Sequence, residues 1–257
     1  MKLFLSGFAV LLYLFTVTGT VSAAASQELT VSAALSLKNA FTDIGKAFEA
    51  GNKDTKVIFN FGASGDLMTQ IKGGAPVDVF VSAAVKDMDA LDNDGFVIKD
   101  SRANFVTNTI VLVKPASSKL LIGSFEDLKK PDVKKIAIGN PKSVPAGRYA
   151  DEVFQSLKLS DAIKDKIVFA ENVRQVLDYV ARNEVDAGVV YATDAKTRAS
   201  EVVLIAAAPE GSHKPILYPI GIVKGSKNEK TARAFISFVR SEEGKKILER
   251  YGFKAVK

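Results

Sequence analysis

The stretch VIFNFGASGDLMTQIKGG, residues 57–74, contains a junction between a predicted strand and a predicted helix, and this junction is the clearest indication of the fold. It opens with strand-forming residues, and residues 66–71 then place apolar side chains at helical spacing. Residues 62–65, Gly-Ala-Ser-Gly, lie where the strand gives way to the helix. The lone Ser64 at this junction has three interpretations: a catalytic nucleophile, a helix N-cap, or a hydrogen-bond donor to a ligand.

The same order of strand and helix repeats along most of the chain. Short apolar runs predict strands at 29–33, 57–61, 77–82, 109–113, 135–138, 167–170, 187–191, 202–206 and 219–223. Helix-period segments predict helices at 37–50, 65–72, 85–92, 147–157, 173–183, 229–239 and 242–251. Runs that stay apolar without alternating indicate strands buried on both faces, as in a parallel sheet covered by helices. The predicted class is therefore α/β, with two doubly wound lobes.

The division of the chain into lobes is predicted from its length and from the count of elements. The 257 residues are enough for two lobes of about 100 residues each. No Gly/Ser linker separates the lobes. We expect the chain to cross between them at the strands near 108–113 and 218–223. The last two predicted helices are needed to complete the first lobe. We therefore expect residues 25–107 and 220–257 in lobe 1 and residues 108–219 in lobe 2.

The N-terminal residues 1–24 have the pattern of a secretory signal peptide. Lys2 gives a positive start, residues 3–21 are almost wholly apolar, and small residues follow in an A-x-A-like cleavage pattern. The apolar run is barely long enough for a membrane anchor and lacks a basic stop-transfer flank. We expect export to the periplasm with the signal peptide cleaved.

Composition narrows the classes of site that the chain can carry. There is no cysteine, so we expect no disulfide, no thiolate metal site and no lipid anchor on a cysteine. A single histidine leaves little for a transition metal, and no resident cofactor is expected. The net charge of +6 is dispersed and forms no basic stripe interleaved with aromatics. Nucleic-acid binding is therefore not expected. We also expect the protein to be a monomer.

Four predicted helix starts follow the carboxyl ends of strands, where ligands collect in open α/β sheets. The residues at these starts are Ser36 and Ser64 as candidate N-caps, Pro145 followed by Ala146, and Asn172 as N-cap followed by Val173. Each helix N-terminus carries unpaired N–H groups and about half a positive charge. Several together could bind an anion without any charged side chain, although each alone is more typical of an ordinary structural cap.

Catalysis is the weaker interpretation of Ser64. A nucleophile elbow needs G-x-S-x-G, whereas residues 62–66 read G-A-S-G-D. Any Ser-His-Asp triad would have to use His213, the only histidine, which lies in the turn-like segment EGSHKP. The phosphate-binding motif G-x-x-x-x-G-K-[ST] is missing. We expect no enzyme, and a serine hydrolase using Ser64 and His213 is the less favoured alternative.

Six segments carry a wider resemblance. They are TVSAALSLKNAF (30–41), FGASGDLMTQI (61–71), GAPVDVFVSA (74–83), GNPKSVPAGRYA (139–150), NVRQVLDYVARNEVDAGVVYATDA (172–195) and ILERYGF (247–253). In this order they resemble the periplasmic molybdate-binding proteins of ABC importers, over nearly all of the chain after the signal peptide. The resemblance implies a type II periplasmic binding protein fold, whose two lobes close on a tetrahedral oxyanion and present it to a membrane permease.

The resemblance also implies a set of ligand-binding residues. In that family the oxyanion is held by serine hydroxyls, by backbone amides at helix starts and by a tyrosine phenol. Matched by motif, these positions are Ser36, Ser64, Ala146, Val173 and Tyr191. Ala146 and Val173 would act through their N–H groups. Many relatives have a serine-richer turn around the position of Ser64, so the donors beside it are less well defined here.

A site of neutral donors suits a fully ionised oxyanion, which only accepts hydrogen bonds. A protonated phosphate would also need an acceptor, and Asp66 is the candidate, although its place in the first turn of a helix favours a dipole role. Sulfate would satisfy the same donors and differs from molybdate in size, while tungstate is nearly the same in both size and charge. We therefore expect molybdate and tungstate, with another oxyanion such as sulfate or phosphate as the alternative.

Overall fold

The computed structural model describes residues 27–256. The expected signal peptide, residues 1–24, lies outside this range. Within it, no helix has both the length and the apolar character needed to cross a membrane.

Residues 27–256 form eleven strands and nine α-helices. The strands are β1 (Gln27–Ala34), β2 (Thr55–Gly62), β3 (Val79–Val81), β4 (Ala103–Thr107), β5 (Ile110–Pro115), β6 (Ile136–Gly139), β7 (Ile167–Ala170), β8 (Ala187–Tyr191), β9 (Val202–Ala207), β10 (Leu217–Ile222) and β11 (Lys254–Ala255). The helices are α1 (Lys38–Gly51), α2 (Ser64–Lys72), α3 (Val85–Asn93), α4 (Pro145–Ser156), α5 (Ser160–Ile163), α6 (Val173–Ala181), α7 (Ala192–Lys196), α8 (Glu229–Arg240) and α9 (Glu242–Arg250).

The strands assemble into two mixed sheets. A six-stranded sheet has the order β11-β4-β10-β3-β1-β2, in which β1 is parallel to both β2 and β3. A five-stranded sheet has the order β7-β6-β8-β5-β9, in which β6 is parallel to both β7 and β8. The six-stranded sheet takes its strands from both ends of the described chain, and the five-stranded sheet takes its strands from the middle.

Both sheets also contain antiparallel strands, so the apolar runs do not all belong to parallel strands. In the six-stranded sheet β10 is antiparallel to β3 and β4, and in the five-stranded sheet β5 is antiparallel to β8 and β9. These are the segments at which the chain passes from one sheet to the other. Both β5 and β10 are almost wholly buried, so their sequences are as apolar as those of the parallel strands and do not reveal their direction.

All nine predicted strands and all seven predicted helices are present, most with ends shifted by one to three residues. The sequence missed the short elements β4, β11, α5 and α7, which have too few residues to show a clear period. The helix predicted at 173–183 is α6, and it buries Val176, Leu177 and Val180 on one face.

Candidate functional site

A small cavity lies between the two sheets, and it is lined by residues at the ends of strands and the starts of helices. All five residues singled out in the sequence line it: Ser36, Ser64, Ala146, Val173 and Tyr191. Its free space is about 10 Å³, on the scale of one water-sized sphere. The walls as they stand therefore leave room only for a compact ligand.

The lining of this cavity is uncharged. Besides the five residues, it consists of Ala34, Leu35, Gly62, Ala63, Ala83, Val144, Pro145 and Asn172. Across residues 27–256, no group of three or more His, Cys, Asp or Glu side chains could hold a metal ion. Any charge held here would have to be stabilised by neutral dipoles.

Ser64 is the first residue of α2, and Ala63 is the N-cap, which corrects the predicted cap position. The reason is that the Ser64 hydroxyl is engaged elsewhere: its Oγ accepts a hydrogen bond from the N–H of Ala83, at 3.0 Å. Ser64 is fully buried. The bond from Ala83 uses only a lone pair of Oγ, so the hydroxyl hydrogen remains available to donate.

Ser36 is not an N-cap either, since it lies in a 3-10 turn (Leu35–Leu37) and α1 begins at Lys38 with Leu37 as its N-cap. Its Oγ lies 3.2 Å from the phenol oxygen of Tyr218. That phenol accepts a hydrogen bond from the side-chain amide of Asn108, at 3.1 Å. If Tyr218 donates to Ser36, the Ser36 hydrogen is free to donate in turn.

The backbone amides of the other two helix starts are available. Pro145 lies in the first turn of α4, as predicted, but it is the first residue of the helix, so α4 begins one residue before Ala146. Asn172 is the N-cap of α6, as predicted, with its Oδ1 accepting from the N–H of Gln175 at 2.9 Å. Among the described residues, the N–H groups of Ala146 and Val173 have no acceptor. This is the usual state of the first turn of a helix, and it leaves these donors for a ligand.

A glycine pair fixes the start of α4. A Cβ on Gly147 would lie 1.8 Å from the carbonyl oxygen of Gly139, and one on Gly139 would lie 2.3 Å from a methyl carbon of Val144. Only glycine at these two positions lets the helix begin directly against the end of β6. The backbone of Ala146 is held in place by this contact.

Tyr191 ends β8 and is buried. Its phenol donates a hydrogen bond to the carbonyl oxygen of Ala83, at 3.2 Å, a long distance for a hydroxyl donor. Burial raises the pKa of the Tyr191 phenol well above its usual value, and burial likewise raises the pKa of the Tyr218 phenol. Both phenols therefore keep their hydrogens and act as neutral donors.

One member of a buried ion pair, Asp194, lies three residues after Tyr191 in the sequence. The fully buried Asp194 lies in the first turn of α7, and its Oδ1 is 2.6 Å from Nε of Arg174. Burial raises the pKa of the Asp194 carboxyl to about 6, and Arg174 opposes the rise. Since Arg174 directly follows Val173, the pair links the start of α6 to the end of β8.

The two halves of the molecule touch beside the cavity. The N–H of Gly65, in α2, donates to the carbonyl oxygen of Ser143, in the loop before α4, at 2.9 Å. A Cβ on Gly65 would lie 2.7 Å from that oxygen and 2.8 Å from Ser143 Cα. The small residue after Ser64 thus allows the loop of the other half to approach.

Two residues considered in the sequence lie away from the cavity. Asp66 is exposed in the first turn of α2 and does not line the cavity, so its expected role at the helix dipole is supported. His213 also does not line the cavity, and its Nδ1 lies 2.7 Å from the carbonyl oxygen of Lys214. Ser64 and His213 are therefore not brought together as a nucleophile and its base.

Three residues that support the site were not predicted from the sequence. Ala83 bonds both Ser64 and Tyr191 through its backbone, while Tyr218 and Asn108 stand behind Ser36. An alanine acting through its backbone has no recognisable signal in a sequence. Tyr218 had one weak signal, a tyrosine inside an otherwise apolar strand.

Residues 29–254 match the family described as bacterial extracellular solute-binding protein. The chain belongs to this family. It is 43% identical over 227 residues to the "Putative ABC transporter substrate-binding lipoprotein YvgL" of Bacillus subtilis, covering 88% of this chain and 86% of that protein. It is 38% identical over 237 residues to the molybdate-binding protein ModA of Haemophilus influenzae, covering 91% and 92%. Membership in this family implies export to the periplasm.

A solved structure confirms the fold. The periplasmic molybdate-binding protein of Azotobacter vinelandii superposes with a TM-score of 0.80 at 25% identity, covering 89% of this chain and all of that one. The expected class, α/β with two lobes in the type II periplasmic binding protein fold, is thereby confirmed. So is the resemblance drawn from the six sequence segments.

Proposed function

We propose that this protein captures molybdate, and tungstate equally well, and delivers it to the membrane permease of an ABC importer. The observation that carries the proposal is the meeting of helix starts and hydroxyl donors at one uncharged cavity. The names of its relatives support the choice of molybdate.

Five donors would hold the oxyanion. The hydroxyls of Ser36 and Ser64 and the phenol of Tyr191 donate from side chains, and Ala146 and Val173 donate from backbone N–H groups. The Tyr191 hydrogen would turn from the carbonyl of Ala83, where its bond is long, toward an anionic oxygen. No proton is transferred, because every donor is neutral and keeps its hydrogen.

The free energy that these donors can contribute is sufficient for micromolar binding of an oxyanion. A hydrogen bond to a charged group contributes about 1.5–3 kcal/mol, and a partly buried helix N-terminus up to about 2 kcal/mol. Micromolar binding needs about 8 kcal/mol, so five donors reach it even after the cost of desolvating the anion and ordering the site.

The donor set would disfavour protonated oxyanions, and the size of the closed cavity would have to separate the others. A monoprotonated phosphate carries a donor of its own and needs an acceptor, but no carboxylate lines the cavity. Sulfate is acceptor-only and can be separated from molybdate only by the fit of the closed cavity. Molybdate and tungstate should not be separated.

Calorimetry of residues 25–257 against molybdate, tungstate, sulfate and phosphate tests this proposal. We expect binding of the first two with similar affinity and at least tenfold weaker binding of the others. Sulfate or phosphate binding as tight as molybdate would refute the assignment.

We also propose that the protein is not an enzyme. His213 does not line the cavity, so His213→Ala should leave oxyanion affinity unchanged within about twofold. A hydrolytic activity toward ester substrates that was lost in both His213→Ala and Ser64→Ala would support the serine hydrolase instead.

The transport role includes expectations about lobes and release. We propose residues 25–107 and 220–257 as lobe 1 and residues 108–219 as lobe 2; β10 spans the second boundary, where the chain returns to the six-stranded sheet. Release as an unanchored monomer stays a prediction, since one relative is named a lipoprotein.

A further inference from the structure

Arg148 and Asp87 form an ion pair that joins the two halves of the molecule. Arg148 lies in α4, two residues after Ala146, and α4 follows β6 of the five-stranded sheet. Asp87 lies in the first turn of α3, which follows β3 of the six-stranded sheet. An Nη2–H of the guanidinium donates to Oδ2 of the carboxylate.

This pair is nearly buried, with side-chain exposures of 11% for Arg148 and 5% for Asp87. Burial raises the pKa of the Asp87 carboxyl, and Arg148 opposes that rise. Removing one partner of such a pair leaves the other buried without compensation, which is strongly unfavourable. If the halves separate, both groups can regain water, so the penalty applies only while they are together.

The Asp87 carboxylate also lies close to the segment that forms a wall of the cavity. Ser82 Oγ lies 3.4 Å from Asp87 Oδ2 and donates to the carbonyl oxygen of Ala84, at 2.7 Å. The same Oγ accepts from the Ala84 N–H, at 3.1 Å. Ala83 lies between Ser82 and Ala84 in the chain, and its backbone N–H and carbonyl oxygen form hydrogen bonds with Ser64 and Tyr191.

We propose that the Arg148–Asp87 pair is a latch between the lobes. The pair fixes the position of the Ala146 amide, in one half, relative to the backbone of Ala83, in the other half, so that both face the ligand. Neither Arg148 nor Asp87 lines the cavity, so both are positioning residues. The latch stabilises the closed arrangement and slows release of the bound anion. The part of the test that measures release of molybdate rests on the proposed function.

The test uses Asp87→Asn, Arg148→Met and the double variant. Arg102→Met is the matched control, because Arg102 is a partly buried arginine, 23% exposed, with two aspartate partners, Asp89 and Asp92, and all three belong to one half of the molecule. We expect the latch variants to release molybdate at least tenfold faster in stopped-flow experiments, with association rates within about threefold of wild type. The double variant should be no worse than the more affected single variant, because the two side chains act as one unit.

A second readout separates a latch from a direct ligand contact. Because the chain has no cysteine, spin labels can be attached at Lys53→Cys and Asp161→Cys, exposed positions ahead of β2 and β7 in different halves. In the ligand-free protein, latch variants should shift the label distances away from the wild-type distribution, whereas Arg102→Met and Ser64→Ala should not. Circular dichroism establishes that each variant is folded.

The outcomes decide the latch independently of the ligand. Unchanged release rates and unchanged label distances in Asp87→Asn and Arg148→Met would overturn it, as would an equal effect of Arg102→Met. If the wild type binds no oxyanion, the proposed function fails, and the label distances of the ligand-free variants still decide whether the latch exists.

Discussion

Gly65→Ala should weaken oxyanion binding without destabilising the ligand-free protein. In the structure a Cβ on Gly65 would lie 2.7 Å from the carbonyl oxygen of Ser143 and 2.8 Å from its Cα. Optimal contacts between heavy atoms are about 3.5–4.0 Å, so the loop of the other half would have to move by roughly 1 Å. Both atoms belong to the backbone, and a change of side-chain rotamer cannot relieve the contact.

The magnitude follows from the cost of overpacking, which is about 1–3 kcal/mol. The hydrogen bond from Gly65 N–H to the same oxygen, at 2.9 Å, would stretch as well, adding up to about 1 kcal/mol. The expected loss of affinity is therefore about 5-fold to several hundredfold. The substitution also has a favourable local effect, since alanine in a helix is better than glycine by about 0.5–1 kcal/mol.

The two effects can be measured separately. Isothermal titration calorimetry with molybdate reports the loss of affinity, and urea unfolding of the ligand-free protein reports stability, which should be unchanged or slightly higher. Gly51→Ala is the matched control, because Gly51 ends α1 and a Cβ there would meet nothing within 4 Å. An affinity in Gly65→Ala equal to that of Gly51→Ala would refute the closed arrangement of the two halves on which this reasoning depends.

Three further perturbations test other parts of the site. Ser64→Ala should weaken molybdate binding by about 1.5–3 kcal/mol, one hydrogen bond to a charge, and an unchanged calorimetric affinity would leave Ser64 only its bond to Ala83. Gly147→Ala should destabilise the protein by about 3 kcal/mol or more in urea unfolding, since its Cβ would overlap the Gly139 carbonyl; a smaller loss would show that α4 can shift away from β6. The raised pKa of Asp194, about 6 against an ordinary value of 3.8, means that the native state binds its proton more readily than the unfolded chain. As the pH falls from about 6.5 to about 4.5, wild type should therefore gain about 2 kcal/mol in its free energy of unfolding relative to Asp194→Asn, and parallel pH profiles would contradict this.

The junctions between strands and helices were predictable because they depend on local chemistry. Pro145 at the first position of α4 and Asn172 as the N-cap of α6 are set by the conformations that these residues favour. The two serine positions were recognised as important, but the predicted caps at Ser36 and Ser64 were wrong. Their hydroxyls bond partners that are distant in the sequence, Tyr218 in β10 and Ala83 in the turn between β3 and α3, and a local rule cannot include those partners.

The α/β class, the approximate positions of the four helix starts and the neutral character of the residues that follow the strands could be predicted from the sequence alone. These features depend on period, turn chemistry and composition, which act over a few residues. The partners of the two hydroxyls depend on the tertiary fold: Ser64 bonds Ala83, 19 residues away, and Ser36 bonds Tyr218, 182 residues away. The tertiary fold also explains why Gly65 must be small, because its neighbour comes from the other half of the molecule. Such contacts depend on how two sheets pack across a cleft, and no local pattern encodes that packing.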